Sequence, residues 1–181
     1  MDIQFRKLES SDRTDEFDCG NASLNEYLRR YAPKDQRRMF GVTYVAVCCD
    51  PPCKVIGYFT LANTSIPRQG IPEDLLKGLP KYQGLPAFLL GRLAVDKTHH
   101  KKGIGEVLLS RCFEHCLTIS KVSGARYLVA DVKPSAITWY ERFNFLRIDG
   151  NQNAESIKMF VDLDTVRSAV DGKAAAAAPI H

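Results

Sequence analysis

The chain has 181 residues, 45% hydrophobic and 25% charged, with 12 Gly and 9 Pro, the profile of one globular domain with a sizeable core. The longest apolar runs, residues 42–49 and the alanines 174–178, fall short of a bilayer span, and the first ten residues hold no signal-like apolar core. A membrane protein, a collagen-like repeat, a disordered chain and a pair of full-sized domains are therefore excluded.

Charge is uneven. The 25 basic and 21 acidic residues leave +4, and window 29–38, RRYAPKDQRR, alone carries five basic residues and one acid. A basic patch on a neutral body suits a polyanionic partner, and a solvated helix face fits it as well. Of the six cysteines, Cys48, Cys49 and Cys53 make no CxxC pair and no HxxxH accompanies them, which argues against zinc. The chain is too large and too rich in Leu and Val to need disulfide staples, so a reducing cytoplasm is the simplest setting.

In chain order, residues 2–8 alternate weakly as a first strand. Leu24, Tyr27, Leu28 and Tyr31 then repeat at helical spacing, with Asn21 or Ser23 placed to cap the helix. Ser23 with Glu26 fits a capping box, and Pro33 should end the run. Arg29 and Arg30 project away from the apolar stripe. Residues 42–49 and 55–62 read as a hairpin joined by the turn signal DPPC. Residues 66–86, with four prolines, read as loop with one short helix near 73–79. A strand over 87–96 leads through THHKKGIG into an amphipathic helix reaching about residue 122, on which Cys112 and Cys116 are small core residues. Another strand spans 126–132, and Pro134 starts a short helix through SAITWYERF. Residues 145–148 and 157–161 form a closing antiparallel pair. This order predicts an α/β (α+β) fold, a mixed, mostly antiparallel sheet with helices on both faces, over residues 1–163. Residues 164–181 read as a low-complexity tail without assigned function.

The chemistry concentrates in LLGRLAVD, then KTHHKKGIG, then a helix. A glycine loop between strand and helix offers backbone N–H groups at a helix N-terminus, a cradle for phosphate or pyrophosphate. Gly103 and Gly105 permit close approach, and Lys101 and Lys102 add positive charge. Taken alone, G-x-G also fits a plain structural turn. The loop is not a Walker motif, and a Rossmann fingerprint would need glycine where Leu108 stands.

The run His100-Lys101-Lys102-Gly103-Ile104-Gly105 is followed by Ala136-Ile137-Thr138-Trp139-Tyr140-Glu141-Arg142-Phe143-Asn144-Phe145. Together they resemble [R/Q]-x-x-G-x-[G/A] and A-x-x-x-Y-x-x-x-G-F of the GNAT acyl-CoA N-acyltransferases, over roughly residues 40–163. His100 departs from the usual Arg or Gln. Asn144 departs from the usual glycine, mildly, because Asn tolerates a left-handed backbone. The resemblance implies that His100, Lys101, Lys102, Gly103, Ile104, Gly105 and Glu106 hold the pyrophosphate of acetyl-CoA. It further implies that the backbone of Leu93, Ala94 and Val95 pairs with pantetheine and that Tyr140 lies beside the thioester sulfur. The chemistry agrees: a phenol of pKa about 10 can protonate a departing thiolate of pKa about 8.5. Trp139 and Phe143 read as core packing.

Many family members carry a glutamate on the strand before the loop. Residues 87–95 contain no acid, and Arg92 is the one charged residue within that strand, with Asp96 at its end. A lysine side-chain amine, pKa about 10.4, needs a base, whereas an α-amine of pKa about 8 is deprotonated in about one molecule in ten. The missing acid leans toward an α-amino substrate.

A narrower resemblance follows. F-D-C-G-N…L-N-E-Y-L together with G-R-L-A-V-D is similar to the GNAT toxins of bacterial toxin–antitoxin modules, which acetylate aminoacyl-tRNA and block translation. This likeness covers about residues 5–163. It implies acetyl-CoA as co-substrate without a metal, a ribbon-helix-helix antitoxin as partner, and a homodimer. Under it, Arg29, Arg30, Lys34, Arg37 and Arg38 grip the tRNA backbone. For Arg92 an ion pair and a contact to the tRNA acceptor end stay open. The alternatives are a GNAT acetyltransferase of protein or small-molecule amines and an inactive GNAT fold that only binds.

Overall fold

The computed structural model describes residues 3–48, 54–153 and 155–176. Its strands are β1 (Ile3–Lys7), β2 (Val42–Cys48), β3 (Lys54–Pro67), β4 (Gly84–Val95), β5 (Tyr127–Val132), β6 (Leu146–Asn153) and β7 (Ser156–Asp162). They form one seven-stranded sheet in the order β1-β2-β3-β4-β5-β7-β6. The helices are α1 (Ala22–Glu26), α2 (Ala32–Arg37), α3 (Ile104–Ser123), α4 (Ile137–Glu141) and α5 (Leu163–Ala176). The mixed sheet flanked by helices expected from the sequence is what forms. Among the described residues no helix is long and apolar enough to cross a membrane.

The chain divides into two compact units, Met1–Asn63 with Leu89–Cys112, and Thr64–Phe88 with Phe113–His181. In the first, β1 pairs antiparallel with β2 from Ile3↔Cys48 to Lys7↔Tyr44, and β2 pairs antiparallel with β3 from Val42↔Leu61 onward. That is the expected hairpin; its DPPC turn lies outside the described residues. The core gathers Phe17, Tyr27, Leu28, Val45, Val47, Val55, Tyr58 and Ala94. Gly57 on β3 is a packing device, because a Cβ there would stand 2.8 Å from Leu108 Cδ1 and 3.2 Å from the Ala94 carbonyl oxygen. Only a bare backbone lets the first turns of α3 settle so near β3 and β4.

Two readings of the N-terminal helix need correction. Asn21, not Ser23, is the cap: its backbone is extended and its Oδ1 accepts from the N–H groups of Ser23 and Leu24 at 3.1 and 3.2 Å. Ser23 therefore lies inside the helix, so it is not the cap of a capping box. Nor does Pro33 end the run. Residues Tyr27–Tyr31 widen into a π-helical turn, with the Ala32 N–H donating to the Tyr27 carbonyl, and α2 continues to Arg37. A proline clashes with the carbonyl four residues before it and offers no N–H. Slipping the ladder by one residue puts Pro33 in the opening turn of α2, where neither defect matters.

The second unit pairs β5 with β7 antiparallel from Tyr127↔Asp162 to Val132↔Ile157, and β6 with β7 from Leu146↔Phe160. Its core holds Ile66, Ile71, Leu85, Ala87, Tyr127, Val129, Ile148 and Phe160. The proline-rich connection is shorter than expected, because β3 runs on to Pro67 and β4 begins at Gly84; the short helix is a 3-10 turn at Glu73–Leu76. Much of the low-complexity tail lies in α5, which runs as far as Ala176. Asp162 starts that helix, its Oδ1 accepting from the Asp164 N–H at 2.8 Å. Cys112 and Cys116 on α3 are buried, as expected.

Candidate active site

The strand-to-helix loop belongs to the first unit. Leu93, Ala94 and Val95 end β4, Ala94 buried and its neighbours half-buried. Asp96 then caps a 3-10 turn at Lys97–His99: Oδ1 accepts from the Thr98 N–H and hydroxyl at 2.9 and 2.6 Å. Burial works to raise the Asp96 pKa, yet these bonds and one from the Asp18 N–H outweigh it and hold the carboxyl below its usual range. His100 turns back on the strand, donating from Nε2 to the Val95 carbonyl at 2.8 Å. Lys101 and Gly103 both take left-handed φ values, 59° and 76°, and Lys101, Lys102 and Gly103 are exposed.

This pair of left-handed residues reverses the chain into α3. The first helical hydrogen bond runs from the Val107 N–H to the Gly103 carbonyl, so the turn Ile104, Gly105 and Glu106 presents its N–H groups at the helix end. Ile104 is buried and anchors that turn beneath. The arrangement can receive an oxyanion. Among the described residues no group of His, Cys, Asp or Glu is placed to hold a metal ion.

Tyr140 belongs to the second unit, near the end of α4, 9% exposed. Its ring stands edge-on to Trp139 and Phe145 at 4.9 and 5.1 Å. Asn144 has φ 62°, the left-handed conformation that its replacement of glycine predicted. The helix closes as a Schellman end: the Asn144 N–H donates to the Glu141 carbonyl at 3.0 Å and the Phe145 N–H to the Tyr140 carbonyl at 3.4 Å. Trp139 and Phe143 are half-buried and pack on each other at 4.9 Å, so they cover the edge of α4 rather than filling the core.

The basic window lies on the π turn and α2. Arg29, Arg30, Lys34, Arg37 and Arg38 are all exposed. Arg30 pairs with Glu26 at 3.0 Å, Arg29 donates to the Asn25 carbonyl at 3.3 Å, and Lys34 sits 5.9 Å from the Tyr31 ring centre. Of the two contacts weighed for Arg92, the ion pair does not form among the described residues. Its guanidinium lies 3.5 Å from the centre of the Tyr27 ring. Tyr27 in turn stacks on Tyr58 and on Tyr31, and its hydroxyl donates to Asp35 at 3.1 Å.

The polar residues behind the loop, Asp18 and Asn25 of the F-D-C-G-N…L-N-E-Y-L run, have no role that the motif alone assigns. Asp18 pairs with Lys97 at 2.6 Å, its N–H donates to Asp96 Oδ2 at 3.0 Å, and its Oδ1 accepts from Asn25 Nδ2 at 2.8 Å. The bond from Lys97, then those from the Gly20 N–H and Asn25, keep the Asp18 carboxyl far below the usual range. The F-D-C-G-N run was the signal, but it carries no periodicity that says what it touches.

Residues 43–147 match the family described as "Acetyltransferase (GNAT) domain". The chain belongs to the GNAT acetyltransferases. Among relatives, this GNAT chain is 29% identical over 141 residues to the tRNA-acetylating toxin of Mycobacterium tuberculosis, covering 77% of this chain and 82% of that protein. Its fold is similar to AtaT complexed with acetyl-methionyl-tRNAfMet, with a TM-score of 0.86 at 23% identity, over 93% of this chain and 99% of the other. A phenylalanine-for-tyrosine mutant of AtaT, bound to the C-terminus of the antitoxin AtaR and to acetyl-CoA, gives a TM-score of 0.77 at 20% identity, over 94% and 99% of the two chains. These structural likenesses bear on the fold of the GNAT domain, which they share almost end to end.

Proposed function

We propose that this protein transfers acetyl from acetyl-CoA to the α-amino group of aminoacyl-tRNA and acts as a translation-blocking toxin. The observation that carries the reading is the loop geometry: a left-handed turn through Lys101 and Gly103 that opens the N-terminus of α3 to a pyrophosphate. The tRNA-acetylating relative and the exposed cations of residues 29–38 support the choice of acceptor.

In this reading His100 through Glu106 take the coenzyme's pyrophosphate, and the backbone of Leu93, Ala94 and Val95 aligns its pantetheine arm. The α-amine nitrogen attacks the thioester carbonyl, the new C–N bond forms, and the C–S bond breaks. Tyr140 gives its phenolic proton to the departing thiolate and is reprotonated from solvent, while the amine releases its proton to water. Absence of an acid over residues 87–95 suits an amine that is already partly neutral. Arg29, Arg30, Lys34, Arg37, Arg38 and Arg92 contribute phosphate contacts that position the tRNA without reading sequence. A ribbon-helix-helix antitoxin neutralises the enzyme, which works in the cytoplasm as a homodimer.

The test is transfer from labelled acetyl-CoA to a panel of charged tRNAs, wild type beside Tyr140→Phe. Labelling of charged tRNA, reduced roughly 100- to 10,000-fold in the variant, is the expected result. Labelling confined to peptides or polyamines would overturn the acceptor, and an unimpaired variant would overturn the role of Tyr140.

A further inference from the structure

The two stretches on which the narrower resemblance rests, residues 17–28 and 91–96, are joined by hydrogen bonds at the point where β4 gives way to the glycine loop. Asp18 is at their centre. The Asp18 carbonyl accepts from the Lys97 N–H at 2.8 Å while the Asp18 N–H donates to the Asp96 carboxylate, so the Asp18 backbone is held on both sides by a segment 78 residues away. The Asp18 carboxylate holds the Lys97 ammonium on one oxygen; on the other it accepts from the Gly20 N–H at 2.9 Å and from Asn25. Asn25, only 7% exposed, is occupied at both ends: its Oδ1 accepts from the Cys19 N–H and thiol at 2.9 and 3.1 Å.

We propose that Asp18 and Asn25 are positioning residues for the coenzyme loop, fixing the Asp96–Lys97 corner from which residues 98–103 swing into α3. The inference rests on the reading of that loop as the pyrophosphate site. A glycine-bearing loop with left-handed turns has many conformations of similar energy, and a ligand that must order it loses affinity for doing so. Clamping the corner removes that cost before the coenzyme arrives. The same clasp ties up the Lys97 ammonium, which leaves Lys101 and Lys102, exposed and without an ion pair among the described residues, to face the anion.

The test uses the full chain and four proteins: wild type, Asp18→Ala, Asp18→Asn and Asn25→Ala. Acetyl-CoA binding is measured by calorimetry without tRNA, and steady-state transfer to charged tRNA is measured alongside. Asp18→Ala and Asn25→Ala should raise KM and Kd for acetyl-CoA about tenfold, near 1.4 kcal/mol. Turnover at saturating acetyl-CoA and KM for charged tRNA should stay within about twofold, because the clasp touches neither the thioester nor the RNA. Asp18→Asn keeps an oxygen for the Gly20 N–H and Asn25, so it should recover most of the affinity. A lowered melting temperature with unchanged acetyl-CoA affinity, or Asp18→Asn as weak as Asp18→Ala, would overturn the proposal. Wild type that fails to bind acetyl-CoA would overturn the pyrophosphate reading and this inference with it, whereas wild type and variants binding alike would overturn this inference alone.

Discussion

Adding one methyl group at Gly57 tests how closely α3 must approach the sheet. A Cβ at this position would lie 2.8 Å from Leu108 Cδ1, about 0.7 Å inside ordinary carbon–carbon contact. It would also sit 3.2 Å from the Ala94 carbonyl oxygen and 3.5 Å from Ile104 Cγ2. Leu108 is fully buried and has little room to turn aside, and the carbonyl belongs to the backbone of β4. Overpacking of this kind costs about 1–3 kcal/mol, while replacing a strand glycine by alanine returns about 0.5–1 kcal/mol of chain entropy. Gly57→Ala should therefore destabilise by about 0.5–2 kcal/mol, read as a lower urea midpoint with an unchanged slope. Leu108→Val withdraws the nearest atom, so in the double mutant part of the Gly57→Ala cost should disappear, a coupling that a cycle measures directly. Because Ile104 and Leu108 belong to the first two turns of α3, acetyl-CoA affinity should fall together with stability. A Gly57→Ala protein as stable as wild type, or a cost untouched by Leu108→Val, would refute the close-approach argument.

Three further outcomes follow from single residues. Asn144 at φ 62° should accept glycine at no cost, whereas Asn144→Val should lose about 1–2 kcal/mol in urea denaturation, and with it transfer activity through the turn that carries Tyr140. Arg92→Lys keeps the charge but gives up the flat contact on Tyr27, so unfolding should show a loss of about 0.5–1 kcal/mol; an unchanged midpoint would mean the stacked ring contributes nothing. Burial raises the Cys19 pKa against the hydrogen bonds that lower it, so its thiol stays protonated at neutral pH. Alkylation of Cys19, followed by peptide mass spectrometry, should run slower at pH 8 than that of a free thiol. The sign for folding is the same: the contribution of the raised thiol is complete below the unfolded-chain pKa and is lost as pH climbs through the folded value.

Much of the site was legible because its information is local. His100 through Gly105 and Ala136 through Phe145 are short runs whose backbone requirements fall on named positions, and the left-handed Asn144 could be read from its replacement of glycine. The strand and helix order was equally accessible, since the apolar period of each segment is a property of that segment. The cap at Asn21 and the passage of Pro33 were not, because capping choice and a one-residue slip of the helical ladder depend on how the whole turn packs.

What the sequence determined by itself is the family, the glycine loop between strand and helix and the exposed basic face, each encoded in residues close together along the chain. The tertiary structure decided where Arg92 rests, why position 57 must be glycine, and what the F-D-C-G-N run touches. Those three depend on contacts between segments remote in sequence, 65 residues between Arg92 and Tyr27 and 78 between Asp18 and Asp96. No local periodicity records such a contact; it exists only after burial of the apolar core has brought the segments together.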